Sequence, residues 1–251
     1  MGLFSKLLDL LVPPKCEICG ATSKGGVLCE DCRKKFVREC FEHCPICGMT
    51  AQNCVCGADF TEVTGTELGG ARFFSLTFYR SESKYGKDER VTEQLIYSLK
   101  ESGRPSGFFA EEMSRGLKAL FARAGEDPSE WTITYPPRSS AKFYKTGFDQ
   151  SEITAEKLAR LLGCRTEKTL IRGGRSAEQK TLDSQSRHEN AESTLVTIRR
   201  NIKQGGKYLL LDDIITSGAT VEAAAKLLYS CGAAEVFPIS ICRTMAGERG
   251  K

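Results

Sequence analysis

Asp212 and Asp213 stand side by side in the stretch YLLLDDIITSGAT, Tyr208 to Thr220, directly after four apolar residues. Two adjacent carboxylates offer acceptors for sugar hydroxyls or a seat for a hard cation. Leaving either buried and unpaired would be costly, so they should meet solvent, a cation or hydroxyls. Thr216, Ser217, Gly218, Ala219 and Thr220 then supply hydroxyls, backbone N–H groups and a glycine that permits close approach. Beyond Thr220 the spacing is helical, with Val221, Ala224, Ala225, Leu227 and Leu228 on one face and Gly232 as its stop. A helix N-terminus with free amides favours a phosphate. Acceptors for sugar hydroxyls beside donors for a phosphate suit a ribose 5-phosphate. A plain capped helix would need one such polar residue, whereas this loop carries several around a glycine.

The second group of chemistry-bearing residues is thiol. Nine of the twelve cysteines fall between Cys16 and Cys56. Cys16, Cys19, Cys29 and Cys32 form two CxxC pairs, and four thiolates of that spacing can surround a tetrahedral zinc. Cys44 and Cys47, followed by the tighter Cys54 and Cys56, make a second set, with Cys40 and His43 as spare candidates. His43 is expected to be a surface histidine. A four-cysteine site has no open position, so this module should stabilise or bind and not catalyse. The opening MGLFSKLLDLLVPPKC is broken by Lys6 and Asp9 and has no small-residue cleavage site, so it reads as a short amphipathic helix ended by Pro13-Pro14. Clustered CxxC pairs without a secretion signal point to metal rather than disulfides, and to a reducing cytoplasm.

Elements must position these groups. Tyr208–Leu211 reads as a buried parallel strand, giving the order strand, acidic loop, helix N-terminus. Strands are expected at 71–79, 131–135 and 234–242. Helices are expected over 88–102, from Ser106 as a cap through Leu120, and over 151–163. The alternation predicts an α/β fold with a mainly parallel sheet flanked by helices. Residues 1–60 lack the apolar runs of an ordinary core and need a metal staple. A glycine-rich polar linker, 57–70, would separate this small zinc-ribbon-like module from the α/β domain at 71–251. No run reaches transmembrane length, and a net charge of +4 permits a polyanionic partner without requiring one.

The stretch LLLDDIITSGAT resembles the phosphoribosyl pyrophosphate (PRPP) signature of type I phosphoribosyltransferases. With the CxxC pairs, SLKESGR (98–104), YPPRSSAKFYKTGFDQSE (135–152) and LIRGGRSAEQKTLDSQSRHEN (170–190), the chain resembles the ComF family over nearly its whole length. The resemblance implies a type I phosphoribosyltransferase-like sheet, with Asp212 and Asp213 on the ribose hydroxyls and Thr216 to Thr220 around the 5-phosphate. It places Arg138 and Lys142 at the diphosphate, in keeping with their charge. Lys100 and Arg104 fall in the family's Lys-x-x-Gly-Arg position, and Arg172, Gln179 and Arg187 in a mobile segment over the substrate. Magnesium would accompany PRPP. Tyr135-Pro-Pro replaces Val-Pro-x-Pro, Lys142 replaces an arginine and Thr146 stands where another is expected. Lysine keeps the charge and loses the bidentate fork.

Three functions fit these residues. One is transfer of a phosphoribosyl group to or from a nitrogen acceptor with magnesium and diphosphate. The second is a non-catalytic ComF-type role in DNA uptake and competence, binding single-stranded DNA through Lys24, Arg33, Lys34, Lys35 and Arg38 and working beside a DNA-uptake helicase. The third is a PRPP-sensing regulator that keeps the fold without the chemistry. No residue stands out as a general base.

Overall fold

The computed structural model describes residues 13–23, 26–50, 52–54, 73–79, 90–172 and 195–244. The N-terminal amphipathic helix, the linker, Lys24, Cys56, Gln179, Arg187 and Asn190 lie outside the described residues. In chain order the elements are α1 (Glu30–Phe41), β1 (Phe74–Tyr79), α2 (Val91–Ser102), α3 (Ser106–Ala124) and β2 (Trp131–Thr134). Next come α4 (Ser140–Thr146), α5 (Gln150–Leu162), β3 (Arg165–Thr166), β4 (Leu170–Arg172) and β5 (Leu195–Thr197). The chain continues with β6 (Lys207–Ile215), α6 (Ala219–Ser230) and β7 (Glu235–Thr244).

Five parallel strands form one sheet in the order β1-β7-β6-β2-β3, flanked by helices, and β4 and β5 form a separate antiparallel pair. The alternation along β6 shows why it is central. Leu209 and Leu211 join the cluster under α2, α3 and α5, with Leu95, Leu99, Phe109, Met113 and Leu158. Tyr208 and Leu210 join the opposite cluster under α6, with Val221, Ala224 and Leu228. A strand buried on both faces reads as a continuous apolar run, which Tyr208–Leu211 does.

Several expectations change. The strand at 208–211 runs on through both carboxylates to Ile215, because Asp212 pairs in register with Ser240, and Ile214 with Cys242, on β7. The acid pair therefore sits on the strand, not in a loop. Ser106 lies inside α3 rather than capping it; the residue before α3 is Pro105, and the buried Ser106 hydroxyl accepts from Lys157 Nζ at 2.7 Å. Part of the 135–142 loop is helical, as α4. His43 is buried against the Phe78 ring, with centroids 4.4 Å apart, and is not a surface residue.

The cysteine-bearing segment docks on this body through α1. Cys16, Leu28, Cys32, Phe36 and Ile46 belong to the same apolar cluster as the sheet, and Phe36 packs edge-on against Phe108 and Phe109. Among the described residues, no helix is long and apolar enough to cross a membrane.

Candidate functional site

The strand order dictates where a ligand can enter. From β2 the chain moves outward to β3, and from β6 it moves outward the other way to β7. The loops leaving adjacent β2 and β6 therefore diverge, opening a crevice at the carboxyl edge where α/β sheets bind ligands. Residues 135–139 come after β2 and 216–218 after β6. Both motifs singled out in the sequence thus meet at one switch point.

On β6 each carboxylate accepts from the next amide along the chain: Asp213 N donates to Asp212 Oδ1 at 2.8 Å, and Ile214 N to Asp213 Oδ1 at 2.7 Å. The other oxygen of Asp213 accepts from Gln150 Nε2 at 3.0 Å and lies 3.7 Å from Lys100 Nζ. Burial and the adjoining Asp213 charge push the Asp212 carboxyl well above the ordinary range. The folded protein thus binds more protons than the unfolded chain between the two pKa values, and the stability contributed by Asp212 is lost as pH rises through that window. Asp212→Asn should consequently raise the thermal midpoint of the ligand-free protein near neutrality by a few degrees, typical of small changes in a chain of this size. The gain should shrink on acidification. A midpoint difference that is the same from neutral to acid pH would contradict this.

Thr216 and Ser217 are exposed and Gly218, at φ +83°, is the cap residue of α6. A Cβ on Gly218 would meet nothing within 4 Å, so glycine there is required by its left-handed backbone and not by crowding. Ser217 Oγ accepts from Ala219 N at 3.4 Å, and Thr220 lies in the first turn.

Across the crevice, Asp149 caps α5, accepting from Ser151 N at 2.9 Å, and also takes the Arg138 backbone amide at 2.7 Å. It thereby ties the loop after β2 to the helix whose first residue is Gln150. The Arg138 guanidinium is turned inward. It donates to Thr146 Oγ1 at 3.0 Å and Lys100 O at 3.1 Å and lies over the Phe148 ring. Lys142 is exposed on α4. Arg172 Nε donates to Pro137 O at 2.9 Å, at the same loop. Arg104 points to the cysteine segment, where Nη1 meets Glu17 Oε1 at 3.0 Å. Lys100, Arg138, Arg172 and the acid pair are thus brought together; Arg104 is not. Gln150 and Asp149, quoted only within a motif, prove to be the link between the loop after β2 and the acid pair on β6.

A cavity of about 230 Å³ lies beside this loop, lined by Arg138, Phe143, Tyr144, Asp149, Glu152 and Lys168. A larger hollow of about 770 Å³ opens at the opposite, amino edge, where Lys207 is already paired with Glu126 at 2.7 Å.

The thiols form two groups. The Sγ atoms of Cys16, Cys19, Cys29 and Cys32 lie within 4.8 Å of one another, as do those of Cys44, Cys47 and Cys54. Cys19 and Cys29 are 3.6 Å apart and Cys47 and Cys54 3.7 Å apart. A zinc–sulfur distance of about 2.3 Å gives a tetrahedron edge of roughly 3.8 Å, so both groups match zinc. The two CxxC turns also repeat: Gly20 N donates to Cys16 O and Gly48 N to Cys44 O, with both glycines at positive φ. Burial raises the leading thiols, but the turn amides outweigh it, holding Cys16 at about 6 and Cys44 at about 7. Cys40, by contrast, is pushed up to about 12 by burial and belongs to neither group.

Residues 149–251 match the family model described as phosphoribosyl transferase domain. The DNA utilization protein YhgH of Salmonella typhi is 29% identical over 246 residues, spanning 94% of this chain and 100% of that protein. Competence protein ComFC of Streptococcus pneumoniae is 25% identical over 246 residues, spanning 91% of this chain and 100% of that protein. Among solved structures, the glutamine phosphoribosylpyrophosphate amidotransferase from B. subtilis aligns with a TM-score of 0.34 at 21% identity, over 61% of this chain and 27% of that one.

Proposed function

We propose that this chain, a ComF-family homologue with a phosphoribosyl transferase domain, binds PRPP with Mg²⁺ in the β2–β6 crevice and transfers its phosphoribosyl group to a nitrogen acceptor. One observation carries the reading: the acid pair of β6 and the hydroxyl-rich start of α6 share the switch point with the loop after β2. In this reading Asp212 and Asp213 accept from the ribose hydroxyls, and the amides and hydroxyls of Thr216 to Thr220 hold the 5-phosphate. Lys100 and Gln150 orient Asp213, 3.7 Å and 3.0 Å away. Arg138 acts through position, since its guanidinium braces the loop against α2 and Phe148. Lys142, with Arg172 and Arg187, supplies positive charge to the departing diphosphate, and the neutral Gln179 amide offers a hydrogen-bond donor in the same segment. Magnesium, when bound, would neutralise diphosphate charge and orient the ribose. Zinc in the cysteine groups would be structural, with Cys56 completing the second set.

The names of the relatives, a DNA utilization protein and a competence protein, favour a second reading, a role in DNA uptake, for which single-stranded DNA would be the ligand. The exposed face of α1 is its candidate surface, yet Arg33 is tied to Glu112 at 2.7 Å and Lys34 to Glu30 at 2.7 Å.

Diphosphate release from PRPP with Mg²⁺, over a panel of nucleobases and amines, separates the readings. Transfer predicts release that depends on one acceptor and is lost in Asp213→Asn. PRPP binding without release by any acceptor would leave a sensor. Oligonucleotide binding that weakens on charge reversal at Lys35 and Arg38, in a protein that releases no diphosphate, would favour the DNA role.

A further inference from the structure

The cysteine segment touches the carboxyl edge of the sheet through two buried charges. The first is Glu39, in the last turn of α1, the helix that bears Cys32; Glu39 is 8% exposed. Its carboxylate accepts from Val91 N at 2.9 Å, Thr92 N at 2.9 Å and Thr92 Oγ1 at 2.6 Å. These are the opening amides of α2, and the cap residue of α2, Arg90, provides no side-chain cap of its own. A helix leaves its first N–H groups without partners, and here a carboxylate from another element satisfies two of them. The other end of α2 carries Lys100, 3.7 Å from Asp213. Arg90 joins the cap, with Nη1 2.8 Å from Glu42 and Nε 3.6 Å from Glu93.

The second charge is Arg243, 6% exposed near the end of β7 and in register with Ile215, the residue before Thr216. Its guanidinium donates to Ile46 O at 3.0 Å and Cys44 O at 3.2 Å, between the rings of Phe73 and Phe78. A Cβ on Gly48 would fall 2.5 Å from that guanidinium, so the second CxxC-Gly turn is shaped around it. The next residue, Thr244, donates through Oγ1 to Thr216 O at 3.4 Å.

We infer that Glu39 and Arg243 make the cysteine module a positioning element of the ribose–phosphate site. One holds the helix that presents Lys100 to Asp213; the other holds the β7 end that braces Thr216. PRPP affinity then depends on the metal-holding module, although none of its described residues is among those assigned above to the ligand. The inference rests on the phosphoribosyl reading above. Docking alone would need only the apolar contacts of Phe36 and Ile46, and burying charges for it would be costly. Glu39 instead completes the opening hydrogen bonds of α2, and Arg243 ties the end of β7 to the Cys44 turn.

A double-mutant cycle tests it, using calorimetry of PRPP with Mg²⁺ on the zinc-loaded full chain. Glu39→Ala should weaken binding roughly tenfold and Glu39→Gln, which keeps one acceptor, only about threefold, without loss of zinc. In a Lys100→Met background Glu39→Ala should add little, because the two act through one helix. Equal losses in both backgrounds would mark general destabilisation and overturn the role, as would wild-type affinity in Glu39→Ala. If Glu39→Ala does not fold, Glu39→Gln carries the same cycle with Lys100→Met, and Arg243→Lys, which acts through β7, is cycled with Thr216→Ala. Wild-type protein that binds no PRPP would sink the phosphoribosyl reading itself, a different failure from additivity among binding variants.

Discussion

Chelation of the metal, or Cys16→Ser with Cys19→Ser, should unfold the segment from Cys16 to Cys54 while the sheet beneath α3 and α5 persists. Structural zinc sites are worth about 10–16 kcal/mol of apparent binding free energy, far above what the small apolar face of this segment supplies. The described contacts that join it to the sheet body are Phe36, Leu28 and Ile46 in the core, Glu39 at α2, Arg243 at β7 and ion pairs such as Arg33–Glu112 and Arg104–Glu17. Freshly reduced protein should contain between one and two zinc ions, the second depending on whether Cys56 completes the group of Cys44, Cys47 and Cys54. Metal analysis with far-ultraviolet circular dichroism checks both parts. Metal-free protein that retains the full helical signal, α1 included, would contradict the expectation.

Much of this was legible locally. CxxC spacing announces a thiolate site because a tight turn delivers both sulfurs, and the glycine repeated after Cys19 and after Cys47 marks the same turn. The loop proposed for the phosphate was equally visible as a strand-to-helix turn, since hydroxyls, glycine and helical spacing are neighbours in sequence. The features that escaped are long-range. Glu39 looks like one more charge on a polar helix until Val91 and Thr92, more than fifty residues on, are placed against it. Arg243 is a lone arginine after an apolar strand until the Cys44 turn folds over it. The extension of β6 through Asp212 was hidden because carboxylates argue against a strand interior, and only pairing with β7 overrides that preference. The β4–β5 pair is three residues per strand, too short for any periodicity.

Loss of the acid pair should have the largest effect on ligand binding. In the proposed reading, Asp212→Asn with Asp213→Asn replaces two charged acceptors for the ribose hydroxyls by neutral amides and removes negative charge that would help to seat Mg²⁺. The β6–β7 ladder and the start of α6 should persist. Hydrogen bonds to charged groups contribute about 1.5–3 kcal/mol each, so losing two predicts an affinity fall on the order of a hundredfold or more. Gly218→Val should act from the phosphate side. At φ +83° a side chain is strained by roughly 1–2 kcal/mol, and valine at the cap residue of α6 would compete with a phosphate for the proposed loop. Thr216→Ala or Thr220→Val should each cost about 1–3 kcal/mol of binding through a lost charge-assisted contact.

Calorimetry of PRPP with Mg²⁺ on folded, zinc-loaded protein tests the central claim most directly. Saturable binding by the wild type, abolished in the Asp212→Asn, Asp213→Asn double variant while its thermal midpoint holds or rises, is the predicted result. Wild-type protein that binds neither PRPP nor ribose 5-phosphate at millimolar concentration would contradict it.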